Sequence, residues 1–291
     1  MKISENTRDV WKVWFSHTRS RCHLHFNLEG GTISSHITMC TEAAKRKMQQ
    51  LVEDFPQSFR PKTILEIGAS VGFNSLALSD LYPDAVVYSV EPDNEAVLVA
   101  GAMASDASAK YQPVTGAGEF LPFGDGYFDL VICHTVIEHV SDVERVVSEM
   151  ARVLSPDGYI HLEAPNYLWP YEPHLDVWCL PFLGKAAVRF AARVQGKKTE
   201  CWYLEHLQFV TPFQLTAFFK QQGLSWENRF KKKLADTIAG TAEIRKYTFF
   251  SKLMYLLGKV GLAQAAGAVV VGLGLYPSVL YTLYRSEQGA E

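Results

Sequence analysis

Between Thr63 and Asn166 the chain alternates apolar runs, glycine turns and helical segments with short connections, and this stretch constrains the fold more than any other. Its apolar runs are nearly continuous, which is the pattern of strands covered on both faces. A mostly parallel sheet with helices on either side meets that requirement. The pattern predicts strands over 63–67 (TILEI), 85–90 (AVVYSV), 111–114, 128–133 (FDLVIC) and 158–164. Helices fill the gaps at Gly72–Leu81, Asp93–Ala104 and Asp142–Leu154, the last closed by the turn Ser155-Pro156-Asp157-Gly158. The expected fold class is α/β, a Rossmann-like doubly wound sheet.

The flanks read differently. Residues 1–37 mix Trp, His, Arg and Phe without a sustained period and are expected to form short helical pieces and loops. From Thr38 to Phe55, Met39, Ala43, Met48, Leu51, Val52 and Phe55 fall near one helical face, with Pro56 and Pro61 closing it. After Asn166 an aromatic, proline-rich stretch precedes a helix at 212–222 capped by Thr211, a strand at 224–230 and a last strand at 277–285 (PSVLYTLYR). The expected organisation is an N-terminal helical cap (1–60), a core (61–234) with an aromatic lid (167–210), a helical insertion (235–276), and the last strand and tail (277–291).

Composition narrows the partners. With 28 Lys+Arg against 31 Asp+Glu the net charge is −3, which excludes broad basic binding, so no nucleic-acid partner is expected. The 5 cysteines are odd in number and widely spaced, which points to reduced cytosolic thiols. The N-terminus lacks a secretory pattern, so a cytoplasmic location is expected. Val260–Tyr284 carries no charge and is long enough to span a bilayer, yet its Ala, Gly, Gln264 and Pro277 make its hydropathy modest and a true span the lesser reading. A buried insertion is one reading. Peripheral contact with the inner face of a membrane through 245–284 is the other, since Arg229, Lys231, Lys232, Lys233, Arg245, Lys246, Lys252 and Lys259 lie on or near it.

The segment ILEIGASVGF carries the chemistry. Its strand runs straight into a glycine turn that opens a helix, where backbone N–H groups face a ligand. Gly68, Ala69 and Gly72 form the turn, Glu66 stands inside the strand, and Glu91, followed by Pro92, ends the next strand, where a carboxylate accepts hydrogen bonds from ribose hydroxyls. A dinucleotide loop keeps a third glycine and holds a diphosphate, which an acid at its start would repel. A buried Glu66 suits a cationic ligand such as the amino group and sulfonium centre of S-adenosylmethionine. The plainer alternative is a tight turn with Glu66 satisfied by local backbone.

The runs ILEIGASVGFNSLAL, the acidic end of YSVEPD, and GAGEFLPFGDGYFDLVICHTVIEHVSDVERVVSEMARVLSPDGYIHLEAPN resemble the class I S-adenosylmethionine-dependent methyltransferases. Within them the resemblance is to the broad subgroup of ubiquinone-biosynthesis and small-molecule or lipid-modifying enzymes. It covers residues 60–166, and 205–230 more loosely. The resemblance implies that Glu66, Gly68, Ala69 and Gly72 surround the methionine part of the cofactor and Glu91 the ribose, with Pro92 and His134 beside them. Ala117, Gly118, Glu119 and Phe120 would line the adenine. Ser70 stands where a second glycine is common, and Ala117 where many relatives place an adenine-contacting aspartate, which leaves Glu119 or backbone groups to substitute. Some ubiquinone O-methyltransferases hold a divalent ion with a Glu-x-x-Glu-His cluster. Here Thr135 occupies the first glutamate position, leaving Glu138 and His139, so no metal is expected.

Methyl transfer is an in-line displacement at a sulfonium carbon, so the protein must align the nucleophile and, for a hydroxyl, remove its proton. His134 and His139 flank HTVIEHV at the carboxyl edge of a strand, where such sheets hold ligands. His139 is a candidate base or a structural capping or core residue. His174 and His206, in and after the aromatic stretch, are further candidates, and an acceptor that ionises readily needs none. Tyr167, Trp169, Tyr171, Trp178, Phe182, Trp202 and Tyr203 either line an apolar acceptor pocket or pack the lid onto the sheet. The expected function is S-adenosylmethionine-dependent O-methylation of a small-molecule, lipid or sugar acceptor. N- or C-methylation, or a non-catalytic binding protein on the same fold, are the alternatives.

Overall fold

The computed structural model describes residues 2–22, 32–197, 202–232, 234, 256–257, 259 and 261–285. Seven strands form one sheet in the order β3-β2-β1-β4-β5-β9-β8. These are β1 (Thr63–Ile67), β2 (Val86–Glu91), β3 (Tyr111–Thr115), β4 (Phe128–His134), β5 (Leu154–Pro165), β8 (Leu224–Asn228) and β9 (Ser278–Arg285). The pairs among β1 to β5 are parallel, and β9 runs antiparallel to both neighbours. The expected α/β doubly wound class is observed.

Period-two alternation places the core. Ile64, Leu130 and Ile132 face a layer made by α1 (Glu5–Cys22), α2 (Ile33–Val52), α3 (Phe73–Leu81) and α4 (Asn94–Ala107). Leu65, Val131 and Cys133 face the layer containing α5 (Val143–Val153) and α8 (Pro212–Gln221). Chain order reverses between β1 and β4, so the carboxyl ends of these strands open a crevice.

Several boundaries differ from the sequence expectation. The N-terminal segment contains an 18-residue helix, α1, rather than short pieces. Its Trp11 and Trp14 sit one turn apart and are both buried, and that pair supplies the apolar face the mixed composition conceals. The second helix starts at Ile33, not Thr38, because the Thr32 hydroxyl accepts from Ser35 N–H as an N-cap. The residues expected as a turn at 155–158 form an irregularity inside β5, where the register with β4 shifts between Phe128 and Leu130.

The lid contains a short hairpin, β6 (Tyr171–Glu172) with β7 (Val177–Trp178), then α6 (Lys185–Val194) and α7 (Trp202–His206). Of the stretch at 260–284, the described part is α9 (Ala263–Gly272) followed by β9. Burial of β9 between β5 and β8 accounts for the lack of charge over 278–284, whereas Leu262, Val269 and Leu273 around α9 are exposed. No helix among the described residues is long and apolar enough to cross a membrane. Most of the expected insertion, with Lys233, Arg245, Lys246 and Lys252, lies outside the described residues.

Candidate active site

The turn after β1 depends on backbone conformations that favour glycine. Gly68 has φ +69°, and a Cβ there would lie 2.3 Å from a Val136 methyl. Gly72 has φ +83°, and its Cβ would meet the Tyr111 hydroxyl at 2.5 Å. Ser70 adopts φ +49°, which explains why glycine is common at that position. Its N–H donates to Glu91 Oε2 at 2.8 Å, while Asp93 N–H donates to Glu91 Oε1 at 3.1 Å. Glu91 therefore ties the turn to the end of β2. Burial raises its pKa against these two backbone donors.

Glu66 is buried at 3% exposure, and its oxygens accept from Asn74 Nδ2 at 2.8 Å and from the Ser75 hydroxyl. Burial raises its pKa above the ordinary carboxylate value despite these two neutral donors. No described cationic side chain forms an ion pair with it. Its donors are local, the Asn74 and Ser75 side chains and the Ser75 backbone, and the Lys47 charge acts on it from a distance.

The turn opens into a cavity of about 1010 Å³. Glu66, Gly68, Ala69, Ser70, Glu91, Pro92, His134 and Thr135 form one wall, and α1 and α2 form the other through Trp11, Trp14, His36, Cys40 and Lys47. Thr135, a β-branched residue, is held at φ +53° on this wall, with its N–H donating to Glu163 O at 2.7 Å. The sequence leaves the lid aromatics as either acceptor lining or packing, and this cavity is roofed by α1 and α2. The signal available was spacing: His36, Cys40, Ala43, Ala44 and Lys47 recur at helical intervals on one face.

His134 stands at the end of β4 with its Nε2 2.7 Å from His161 Nδ1. His161 Nε2 in turn lies 3.2 Å from Asp54 Oδ2. Burial works to raise the Asp54 pKa, but the His161 hydrogen bond and the charges of His161, Arg229 and Lys232 outweigh it and hold the carboxyl below its usual range. With Asp54 ionised and accepting from His161 Nε2–H, a neutral His161 would accept at Nδ1 from His134 Nε2–H, whereas a protonated one would donate there. In the first of these arrangements the His134 lone pair is on Nδ1, which lies 3.8 Å from Glu163 Oε2. Glu163 also pairs with Lys47 at 3.2 Å. Neither His161 nor Asp54 was singled out in the sequence.

Other expected site residues sit elsewhere. Glu119 Oε1 accepts from Ser141 N–H and its hydroxyl at 2.8 and 2.7 Å, capping the entry to α5. Phe120 is 71% exposed beneath the Arg145 guanidinium. Gly118 packs on Ile67 and Val146. None of these three, nor Ala117, lines the cavity. His139 and His174 are also absent from its wall and face one another, Nε2 to Nε2, at 3.3 Å. Burial, then the charge of His174, pushes the His139 pKa down to about 4. His206 ends α7 and is not part of the cavity wall either. In the lid, Tyr167 is buried and stacks on Phe209 at 4.6 Å, whereas Trp178 and Phe182 are exposed. The side chains of Trp202 and Tyr203 lie outside those described.

Residues 65–162 match the family model described as a methyltransferase domain. With the sheet order and the glycine turn above, this part of the chain is similar to the methyltransferase domains that this model describes. The chain is similar to an uncharacterized methyltransferase of Bacillus subtilis, 35% identical over 116 residues, covering 39% of this chain and 44% of that one. It is also similar to a malonyl-[acyl-carrier protein] O-methyltransferase of Geobacter sulfurreducens, 31% identical over 115 residues, covering 39% and 43%. In each case the match spans less than half of the relative's length. The crystal structure of the YcgJ protein of Bacillus subtilis shares the fold, with a TM-score of 0.50 and 21% identity over 84% of this chain and 99% of that one.

Proposed function

We propose that the chain transfers the methyl group of S-adenosylmethionine to an oxygen atom of a small-molecule or lipid-linked acceptor. The observation that carries this reading is one cavity holding both the buried Glu66 carboxylate, beside its glycine turn, and His134 at the strand end, under an aromatic roof. S-adenosylmethionine supplies an electrophilic methyl on a sulfonium centre. Glu66 would hold the cofactor's ammonium group, the backbone of Gly68–Gly72 its methionine part, and Glu91 its ribose hydroxyls. Trp11, Trp14, His36 and Cys40 would shape the acceptor's place. His134, with its lone pair on Nδ1, would take the hydroxyl proton, and His161 with Asp54 would stabilise the charge it gains. That need for a proton acceptor favours oxygen over an acceptor that is already nucleophilic. The described thiols Cys40, Cys133 and Cys179 are free, which suits a cytoplasmic, reducing location.

Calorimetric titration with S-adenosylmethionine tests the cofactor half. Binding is expected in the wild type, and Glu66→Gln should weaken it roughly 10- to 100-fold, the worth of a hydrogen bond to a charged group. No binding by the wild type overturns the reading. A panel of hydroxylated and amine acceptors with methyl-labelled cofactor tests the other half, and label found only on amines overturns the choice of oxygen.

A further inference from the structure

Beside the cavity, and not needed by the reading above, lies a second cluster. Glu138 and His139 sit in the turn Ile137–His139 that follows β4, and His174 sits in the turn between β6 and β7 of the lid. One ligand-type atom from each of the three lies within 4.8 Å of the others. His139 Nε2 and His174 Nε2 are 3.3 Å apart, and Glu138 Oε1 is 3.9 Å from His139 Nε2.

Three features of this cluster are unusual for a structural hydrogen-bond network. First, Glu138 is fully buried, and neither carboxylate oxygen meets a donor in another described residue. A desolvated carboxylate in that state needs a proton or a cation, and burial pushes its pKa up to about 7. Second, His174 is oriented by a carboxylate of its own: Nδ1 lies 2.6 Å from Glu172 Oε1, and Glu172 is itself fully buried and fixed by Leu175 N–H at 2.7 Å. With its proton held on Nδ1, His174 presents the Nε2 lone pair to His139 and Glu138. A carboxylate behind a histidine is the arrangement that orients metal-ligating imidazoles. Third, both histidines keep partial exposure, 28% and 18% of their side chains, so an ion has a way in.

We propose that Glu138, His139 and His174 bind a divalent transition-metal ion of the zinc type, with Glu172 as the residue that positions His174. Two imidazoles and a carboxylate are a donor set for zinc and its first-row neighbours, whereas magnesium selects oxygen donors. Such an ion would tie the lid hairpin to the connection between β4 and α5, beside the strand end that carries His134. Thr135 argues against a metal only while the ligands are sought in one local run. The third ligand comes from the lid, 35 positions further on.

The test uses the full chain carrying a tag that does not chelate, stripped of metal and then titrated separately with Zn²⁺, Co²⁺ and Mg²⁺. One equivalent of Zn²⁺ should survive gel filtration. Co²⁺ should develop visible d–d absorption, and Mg²⁺ should not be retained. His174→Ala and Glu138→Gln should each weaken Zn²⁺ binding by roughly 100-fold or more, and Glu172→Gln by roughly 10- to 100-fold. Circular dichroism on the same samples reads the fold. If His174→Ala is misfolded, Glu172→Gln decides, because it changes little in shape. The proposal is overturned by a wild type that retains neither Zn²⁺ nor Co²⁺, by preferential retention of Mg²⁺, or by folded variants that bind Zn²⁺ as the wild type does. Cofactor affinity is measured separately, so loss of the methyltransferase reading would not alter these outcomes.

Discussion

Two histidine pairs lie at the carboxyl edge of the sheet, and their backing groups give them different chemistry. In the first, His134 meets His161 at 2.7 Å and Asp54 closes the line at 3.2 Å, so an ionised Asp54 has an imidazole N–H to accept from. In the second, His139 and His174 meet through like nitrogens at 3.3 Å, Glu172 occupies the far side of His174, and Glu138 is buried with no donor in another described residue. A closed chain fixes a tautomer and so sets where a proton is accepted. An open cluster gathers lone pairs and negative charge, which a cation satisfies. Each pair has a carboxylate behind it, Asp54 behind His161 and Glu172 behind His174, and the added buried Glu138 is what distinguishes the relay proposed for the first from the coordination shell proposed for the second.

Breaking the closed chain should have the largest effect. His134→Ala should lower methyl-transfer turnover by roughly 10²- to 10⁴-fold, the range for general acid–base groups, while cofactor affinity stays near the wild-type value. Single-turnover rates at saturating cofactor and acceptor measure this, and an unchanged rate would remove His134 from the chemistry. Asp54→Asn comes next. It keeps the shape but removes the charge that orders the two imidazoles, and turnover should fall roughly 10-fold or more. Imidazole ¹⁵N shifts read the tautomer of His161 directly. If neither shift nor rate moves, the pair is no relay.

The two pairs also show how far a sequence can be read. The glycine turn, Glu66 and Glu91 were legible because they lie on two consecutive β–turn–α units, where spacing along the chain equals placement in space. His134 was legible as a strand-end residue for the same reason. Its partner was not, because β4 and β5 pair Ile132 with His161, and only their parallel register brings His161 beside His134. Asp54 is 107 positions from His161 and joins it only after α2 packs on the sheet. His139 and His174 were each marked as candidate bases, but nothing local shows that the lid hairpin turns one onto the other. Residues 1–37 mix Trp, His, Arg and Phe without a sustained period, which hides a covering helix. Its assignment to loops failed because two tryptophans one turn apart, Trp11 and Trp14, carry the buried face of α1 almost alone.

The contrast between satisfied and unsatisfied groups extends to buried carboxylates. Glu149 on α5 is 3% exposed, and Arg152 holds both of its oxygens at 2.8 and 2.9 Å while Leu121 N–H donates at 2.8 Å. The Arg152 hydrogen bonds pull its pKa below the ordinary carboxylate value, outweighing burial, with further help from the Leu121 donor. Its stabilising contribution is therefore present above the ordinary carboxylate pKa and is lost as pH falls through the depressed folded value. Glu149→Gln should cost about 2 kcal/mol at neutral pH, discounted from a fully buried pair because Arg152 is 30% exposed. The variant should also lose part of the acid sensitivity that urea midpoints at pH 7 and pH 4 record in the wild type.

Glu138→Gln should do the least to the metal-free protein, and this sharpens the comparison most. The substitution removes a buried carboxylate whose nearest cationic candidates are the His139 and His174 imidazoles, so the favourable loss of desolvation offsets the amide's own unmet hydrogen bonds, and stability should stay within about 1 kcal/mol of the wild type. With Zn²⁺ present the two proteins should separate, because an ion that binds only the folded state stabilises in proportion to the logarithm of its concentration over Kd. Wild-type melting temperature should then rise with added Zn²⁺ and that of Glu138→Gln should not. A metal-free Glu138→Gln that loses as much stability as Glu149→Gln would mean that the Glu138 carboxylate is already satisfied within the chain, and the distinction between the closed pair and the open one would collapse.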